Sequence, residues 1–151
     1  MDNAFKKLRI DFPEGWVDIS DENPGGPPAF INEQVDDPGV LQISAVEYSG
    51  GELPDPSTAD LITMAKNVGA KNQFGAVMRE ESGECNYGIY SYVEFSSKEF
   101  PYVAVWYLSD GKNFVFATFI CGTIPEAKHI EDVRHILMSI KRKSFFGSLF
   151  K

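Results

Sequence analysis

The side chains able to do chemistry are 22 aspartates and glutamates, two histidines and two cysteines, and their spacing decides what they can do. His129 and His135 stand six residues apart on what reads as a C-terminal helix. At ~100° per residue that spacing turns them about 120° away from each other, so they cannot share a metal ion. Glu131 and His135, at i and i+4, read as a surface ion pair. Cys85 and Cys121 are too few and too far apart for a zinc site or a disulfide framework, and read as small buried apolar residues. No HExxH, GxSxG or CxxC motif occurs, and no Gly-rich phosphate loop joins a strand to a helix. With both histidines among polar neighbours, no Ser or Cys nucleophile has an evident base. No catalytic, metal-binding or cofactor-binding residue is assigned, and no cofactor is expected.

The carboxylates are distributed unevenly. Residues 1–60 carry 13 Asp or Glu against 3 Lys or Arg, while residues 61–151 carry 9 against 11, within a chain of net charge −8. An acidic N-terminal part repels phosphate backbones and disfavours nucleic acid. It attracts and steers a basic protein instead. The stretch 20–39 holds four prolines and three glycines together with Asp21, Glu22, Glu33, Asp36 and Asp37, and reads as a long acidic loop broken by a short strand near Ala29 to Asn32. Glu33, Asp36 and Asp37 match no calcium-loop spacing. These five acids are the candidate steering charges.

The elements that must position these groups follow from hydrophobic period. Tyr102 to Ser109 and Phe114 to Cys121 are β-branched and aromatic runs flanking an Asp110-Gly111 turn signal, which predicts a hairpin. The second run is largely apolar on both faces, so the hairpin should sit mid-sheet with a layer on each side. Leu8 to Phe12 and Trp16 to Ile19 read as an N-terminal hairpin, and Val40 to Glu47 as a strand. Ser57 and Asp60 mark a capped helix start, and Gly69 its stop. Gly75 to Glu81 and Tyr87 to Phe95 read as strands joined through Ser82-Gly83-Glu84. Tyr90 and Tyr92 share one face of the second of these and are candidate contact residues, since tyrosine offers large area at low entropy cost. Thr123 and Glu126 have capping-box spacing before a last helix whose stripe is Ala127, Ile130, Val133, Leu137 and Ile140.

Length and a 43% hydrophobic content predict a single α+β domain over 1–143, an antiparallel sheet covered by helices, followed by a basic and aromatic tail at 144–151. No run approaches the ~20 apolar residues of a membrane span. The start, MDNAFKKLRIDF, lacks a signal-type apolar segment, from which a cytoplasmic location is expected.

The order of elements resembles the PsbP-like fold, an α/β/α sandwich. The resemblance rests on Phe12-Pro13-Glu14-Gly15-Trp16, on Leu41-Gln42-Ile43-Ser44, on the helix from Ser57, and on Trp106-Tyr107-Leu108 through Phe114 to Cys121 and the final helix. It spans nearly all of residues 5–141. Its motifs are structural, so no family site residue carries over. The fold's members include an extrinsic photosystem subunit, a Ran-binding nuclear import factor and bacterial Eag-type chaperones of secreted effectors. What the resemblance implies is a non-catalytic protein-binding role, as in an immunity protein or effector chaperone, with the acids or the tyrosine face engaging another protein. The competing reading is a small-ligand-binding or enzymatic domain with a pocket beside the Tyr-rich strand. Carboxylates converging in a deep cleft would mark the second; an exposed acidic or aromatic face would mark the first.

Overall fold

A computed structural model describes residues 3–143; the tail at 144–151 lies outside the described residues. The hairpin predicted over Tyr102 to Cys121 forms with the expected bounds, β7 (Tyr102–Ser109) and β8 (Phe114–Cys121). It lies in the middle of a seven-stranded antiparallel sheet of order β2-β3-β4-β8-β7-β6-β5. The other strands are β2 (Trp16–Asp18), β3 (Ala29–Asn32), β4 (Val40–Val46), β5 (Ala76–Cys85) and β6 (Gly88–Ser96).

The two-residue period of the strands divides the interior into two cores. Tyr102, Ala104, Trp106 and Leu108 of β7, with Val115, Ala117, Phe119 and Cys121 of β8, face one side. There they meet Val133, Ile136 and Leu137 of α3 (Ala127–Ser139), and Phe5 of the short α1 (Asn3–Lys6) packs against the same core. On the other side Val103, Val105, Val93 and Phe95 meet Ala65 of α2 (Thr58–Lys71). Helices on both faces make the α/β/α sandwich. Among the described residues no helix is long and apolar enough to cross a membrane.

α2 begins as its residues require. The Ser57 hydroxyl accepts from the Asp60 N–H at 3.1 Å and the Asp60 carboxylate accepts from the Ser57 N–H at 2.8 Å, the reciprocal bonds of a capping box. Gly69 does not end it. The helix runs on to Lys71, and Gly69 lies buried against the Phe95 ring, where a side chain would overlap.

Three other local expectations are corrected by long-range pairing. Leu8 and Arg9 form β1, which pairs with β9 (Lys141–Arg142) rather than with β2; β2 pairs with β3. Ser82 to Glu84 lies inside β5, and the chain reverses at Asn86-Tyr87. Thr123 does not cap α3: Glu126 is the N-cap residue, without a side-chain capping bond, and the Thr123 hydroxyl donates to Asp37 at 2.8 Å.

Candidate functional site

Strand β3 is four residues long, and its two flanking loops carry the acids. Ser20 to Glu22 forms a 3-10 turn between β2 and β3, while Glu33 to Gly39 joins β3 to β4. All five candidate acids are exposed. They fall in two groups, Asp21 and Glu22 before β3 and Glu33, Asp36 and Asp37 after it, set apart by a strand of roughly 13 Å.

The Glu33 to Gly39 loop is fastened at two points, to the segment leading into α3 and to α3 itself. Asp37, at φ 49°, accepts the Thr123 hydroxyl, and the Pro38 carbonyl oxygen lies 2.6 Å from His129 Nε2. A carbonyl can only accept, so Nε2 carries the proton and Nδ1 is left as an acceptor. Gly39, at φ +69°, lets the backbone pass close over β8; a Cβ there would fall 2.5 Å from Cys121 Sγ. His129 is 4% exposed, stacked on Trp16 at 5.5 Å and edge-on to Phe119 at 5.2 Å. The expectation that both histidines sit among polar groups is therefore corrected. His129 belongs to the buried stripe of α3, and its Nδ1 has no partner among the described residues. Nor does Glu131 pair with His135; the i,i+4 salt bridge within this helix joins Lys128 to Asp132 at 3.4 Å.

Between loop and helix lie two adjoining cavities of about 390 and 230 Å³ that share Gln34, Val35, Glu126 and His129. Asp36 and Asp37 line the larger; Glu14 and Asp132 line the smaller. Among the described residues, no three His, Cys, Asp or Glu side chains stand close enough to hold a metal ion. Cys121 lies beneath this loop with its thiol pushed up to about 12, first by burial and then by the Asp37 carboxylate. A thiol held that far above neutrality is no nucleophile at physiological pH.

Tyr90 and Tyr92 lie elsewhere, on the α3 side of β6. They are 7% and 4% exposed, with rings 6.0 and 4.7 Å from Trp106. The expectation that they present a contact face is corrected: the aromatic row is core. Their hydroxyls are also engaged. Tyr90 donates to Glu81 at 2.7 Å, and Tyr92 donates to Glu94 at 2.7 Å and lies 3.1 Å from the Tyr102 hydroxyl. Burial, and then the bond to Glu94, raises the Tyr92 phenol far above its usual range. Arg134 of α3 completes the group by donating to Glu81 and, at 3.3 Å, to the Tyr90 oxygen, with its guanidinium 5.8 Å from the Trp106 ring. This cluster clamps α3 to β5 and β6.

The architecture defines the class: this is a PsbP-like α/β/α sandwich. Cyanobacterial PsbP (CyanoP) from Synechocystis sp. PCC 6803 superimposes with a TM-score of 0.58 at 13% identity, over 95% of this chain and 91% of that one. A Bacteroides thetaiotaomicron protein matches with a TM-score of 0.50 at 15% identity, over 93% of this chain and 46% of the other, so this chain spans about half its length. No family model matches the sequence, and no curated protein matches it. At these identities the likeness is one of fold. The cytoplasmic expectation is corrected: the fold shared with cyanobacterial PsbP (CyanoP) does not support that location.

Proposed function

We propose that this chain is a non-catalytic protein-binding module whose acidic loops steer and hold a basic partner, in the manner of an immunity protein or effector chaperone. The observation that carries the reading is the position of the acids. Asp36 and Asp37, with Glu126 opposite, rim an open cleft between a tethered loop and α3, and Asp21 and Glu22 extend the acidic field past the other end of β3. Charges placed on exposed loops act on association rate over several ångströms without being desolvated beforehand. The competing pocket beside the Tyr-rich strand loses its basis, because the hydroxyls of Tyr90 and Tyr92 are already bonded within the core. Tyr90 and Tyr92 enter the proposal only indirectly, through Arg134 and the seating of α3.

The test is affinity capture of the tagged full chain from its native lysate at low and high salt. A companion sample carries Asp21, Glu33, Asp36 and Asp37 as Asn or Gln, together with Glu22→Gln. A stoichiometric protein retained at low salt, and lost both at high salt and from the neutralised variant, is the expected result. Equal capture by the variant, or no stoichiometric protein at low salt, defeats the reading.

A further inference from the structure

The two cavities beside His129 have a chemical bias that narrows the partner. We propose that the cleft between the Glu33 to Gly39 loop and α3 receives an arginine side chain of the bound protein, an inference that rests on the protein-binding reading above.

The acceptors in this cleft outnumber the donors. Asp36 and Glu126 line the larger cavity and Glu14 the smaller, and none of the three carboxylates has a basic partner among the described residues. Among the described residues Asp37 takes only the neutral Thr123 hydroxyl. Lys128, which lines the smaller cavity, is paired with Asp132. The wall adds no donor at His129. That residue is buried, lines both cavities and spends its Nε2–H on Pro38, while its enclosed Nδ1 has no partner among the described residues. An occupant must therefore supply hydrogen bonds and positive charge together.

Geometry separates the cationic candidates. The carboxylates are too dispersed to close on one metal ion. A guanidinium carries five N–H donors in a rigid planar fork and meets separated acceptors at once, whereas an ammonium concentrates three donors at a point. The loop is already fixed to α3 through His129–Pro38 and to the segment before it through Thr123–Asp37, so the acceptors need little ordering on binding.

The test uses amide shifts of the isotope-labelled full chain titrated with N-acetyl-arginine amide, and with N-acetyl-citrulline amide as the uncharged isostere. Saturable shifts confined to residues 33–39 and 123–129 with the arginine compound, and absent with citrulline, are expected. Asp36→Asn and Glu126→Gln should each weaken binding about threefold, as exposed charge pairs do, while Asp21→Asn leaves it unchanged. Equal shifts from citrulline, shifts spread to the Ser20 to Glu22 turn, or indifference to the two substitutions overturn the inference. A partner still captured from lysate while arginine amide fails to saturate the cleft defeats the arginine site alone. Absence of any captured partner defeats the broader reading.

Discussion

His129 Nε2 donates to the Pro38 carbonyl oxygen at 2.6 Å, joining residues 91 positions apart and fixing the acidic loop to the helix opposite it. The same ring fills the space between Trp16 and Phe119. Replacing it with alanine removes both the bond and a buried ring, and should cost about 2–4 kcal/mol. His129→Phe keeps a ring and loses only the bond, so it should cost less, on the order of 1–2 kcal/mol. Denaturant melts of the two variants give the ranking. Equal losses would mean that the ring adds nothing beyond the bond, and an unchanged His129→Phe would mean that the Pro38 bond contributes nothing.

The clamp between α3 and the sheet predicts a pH dependence. Burial opposes ionisation of Glu81, but bonds from Tyr90 and Arg134 and the Arg134 charge outweigh it and hold its carboxyl below the ordinary 4.5. A carboxyl depressed in the folded state stabilises the fold above its unfolded value and loses that contribution as pH falls through the folded value. Stability should therefore decline below about pH 4.5 in the wild type, and less steeply in Glu81→Gln. Both side chains are about a third exposed, at 33% for Arg134 and 28% for Glu81, so solvent screening limits the neutral-pH loss in Arg134→Gln to roughly 1 kcal/mol. Parallel acid-unfolding curves for wild type and Glu81→Gln would show that the pair is not the source.

Cys121 makes a chemical prediction. With its thiol pushed up to about 12 by burial and by Asp37, almost none is thiolate at neutral pH. A disulfide exchange reagent should leave Cys121 unmodified in the folded protein and label it promptly in denaturant. Half-buried Cys85 is the internal comparison, its own thiol raised by burial to a lesser degree. Native labelling of Cys121 as fast as Cys85 would mean that the Glu33 to Gly39 loop does not cover it.

Local signals were legible where the chain's neighbours decide the outcome. The Asp110-Gly111 turn between two apolar runs placed β7 and β8 with their observed bounds, and Ser57 with Asp60 placed the start of α2. The doubly apolar faces of β8 placed the hairpin mid-sheet. Pairing between distant segments was not legible: nothing near Leu8 shows that its partner is Arg142. Residue type alone points His129 toward solvent, although its spacing carries a signal for burial. It stands four residues before Val133, seven before Ile136 and eight before Leu137, on the same face of α3. Tyr90 and Tyr92 carry no such signal, since alternation places two tyrosines on one face of a strand without revealing that a helix covers it.

Gly69 opposes intrinsic propensity to tertiary packing. In an exposed helix interior, Gly→Ala stabilises by about 1 kcal/mol because the unfolded chain has less freedom to lose. Here the added Cβ would run into the Phe95 ring, which is 2% exposed and held against Phe74 at 6.0 Å. A ring wedged in that core cannot turn aside without opening space elsewhere, and overpacking of this kind costs roughly 1–3 kcal/mol. Packing should win, so Gly69→Ala lowers stability despite its better helix propensity. Ala70, one position on and exposed, tests the propensity side alone: Ala70→Gly should cost about 1 kcal/mol with no packing change. If Gly69→Ala instead raises the denaturation midpoint, the close approach of α2 to β6 at Phe95 is not the feature that requires glycine at this position.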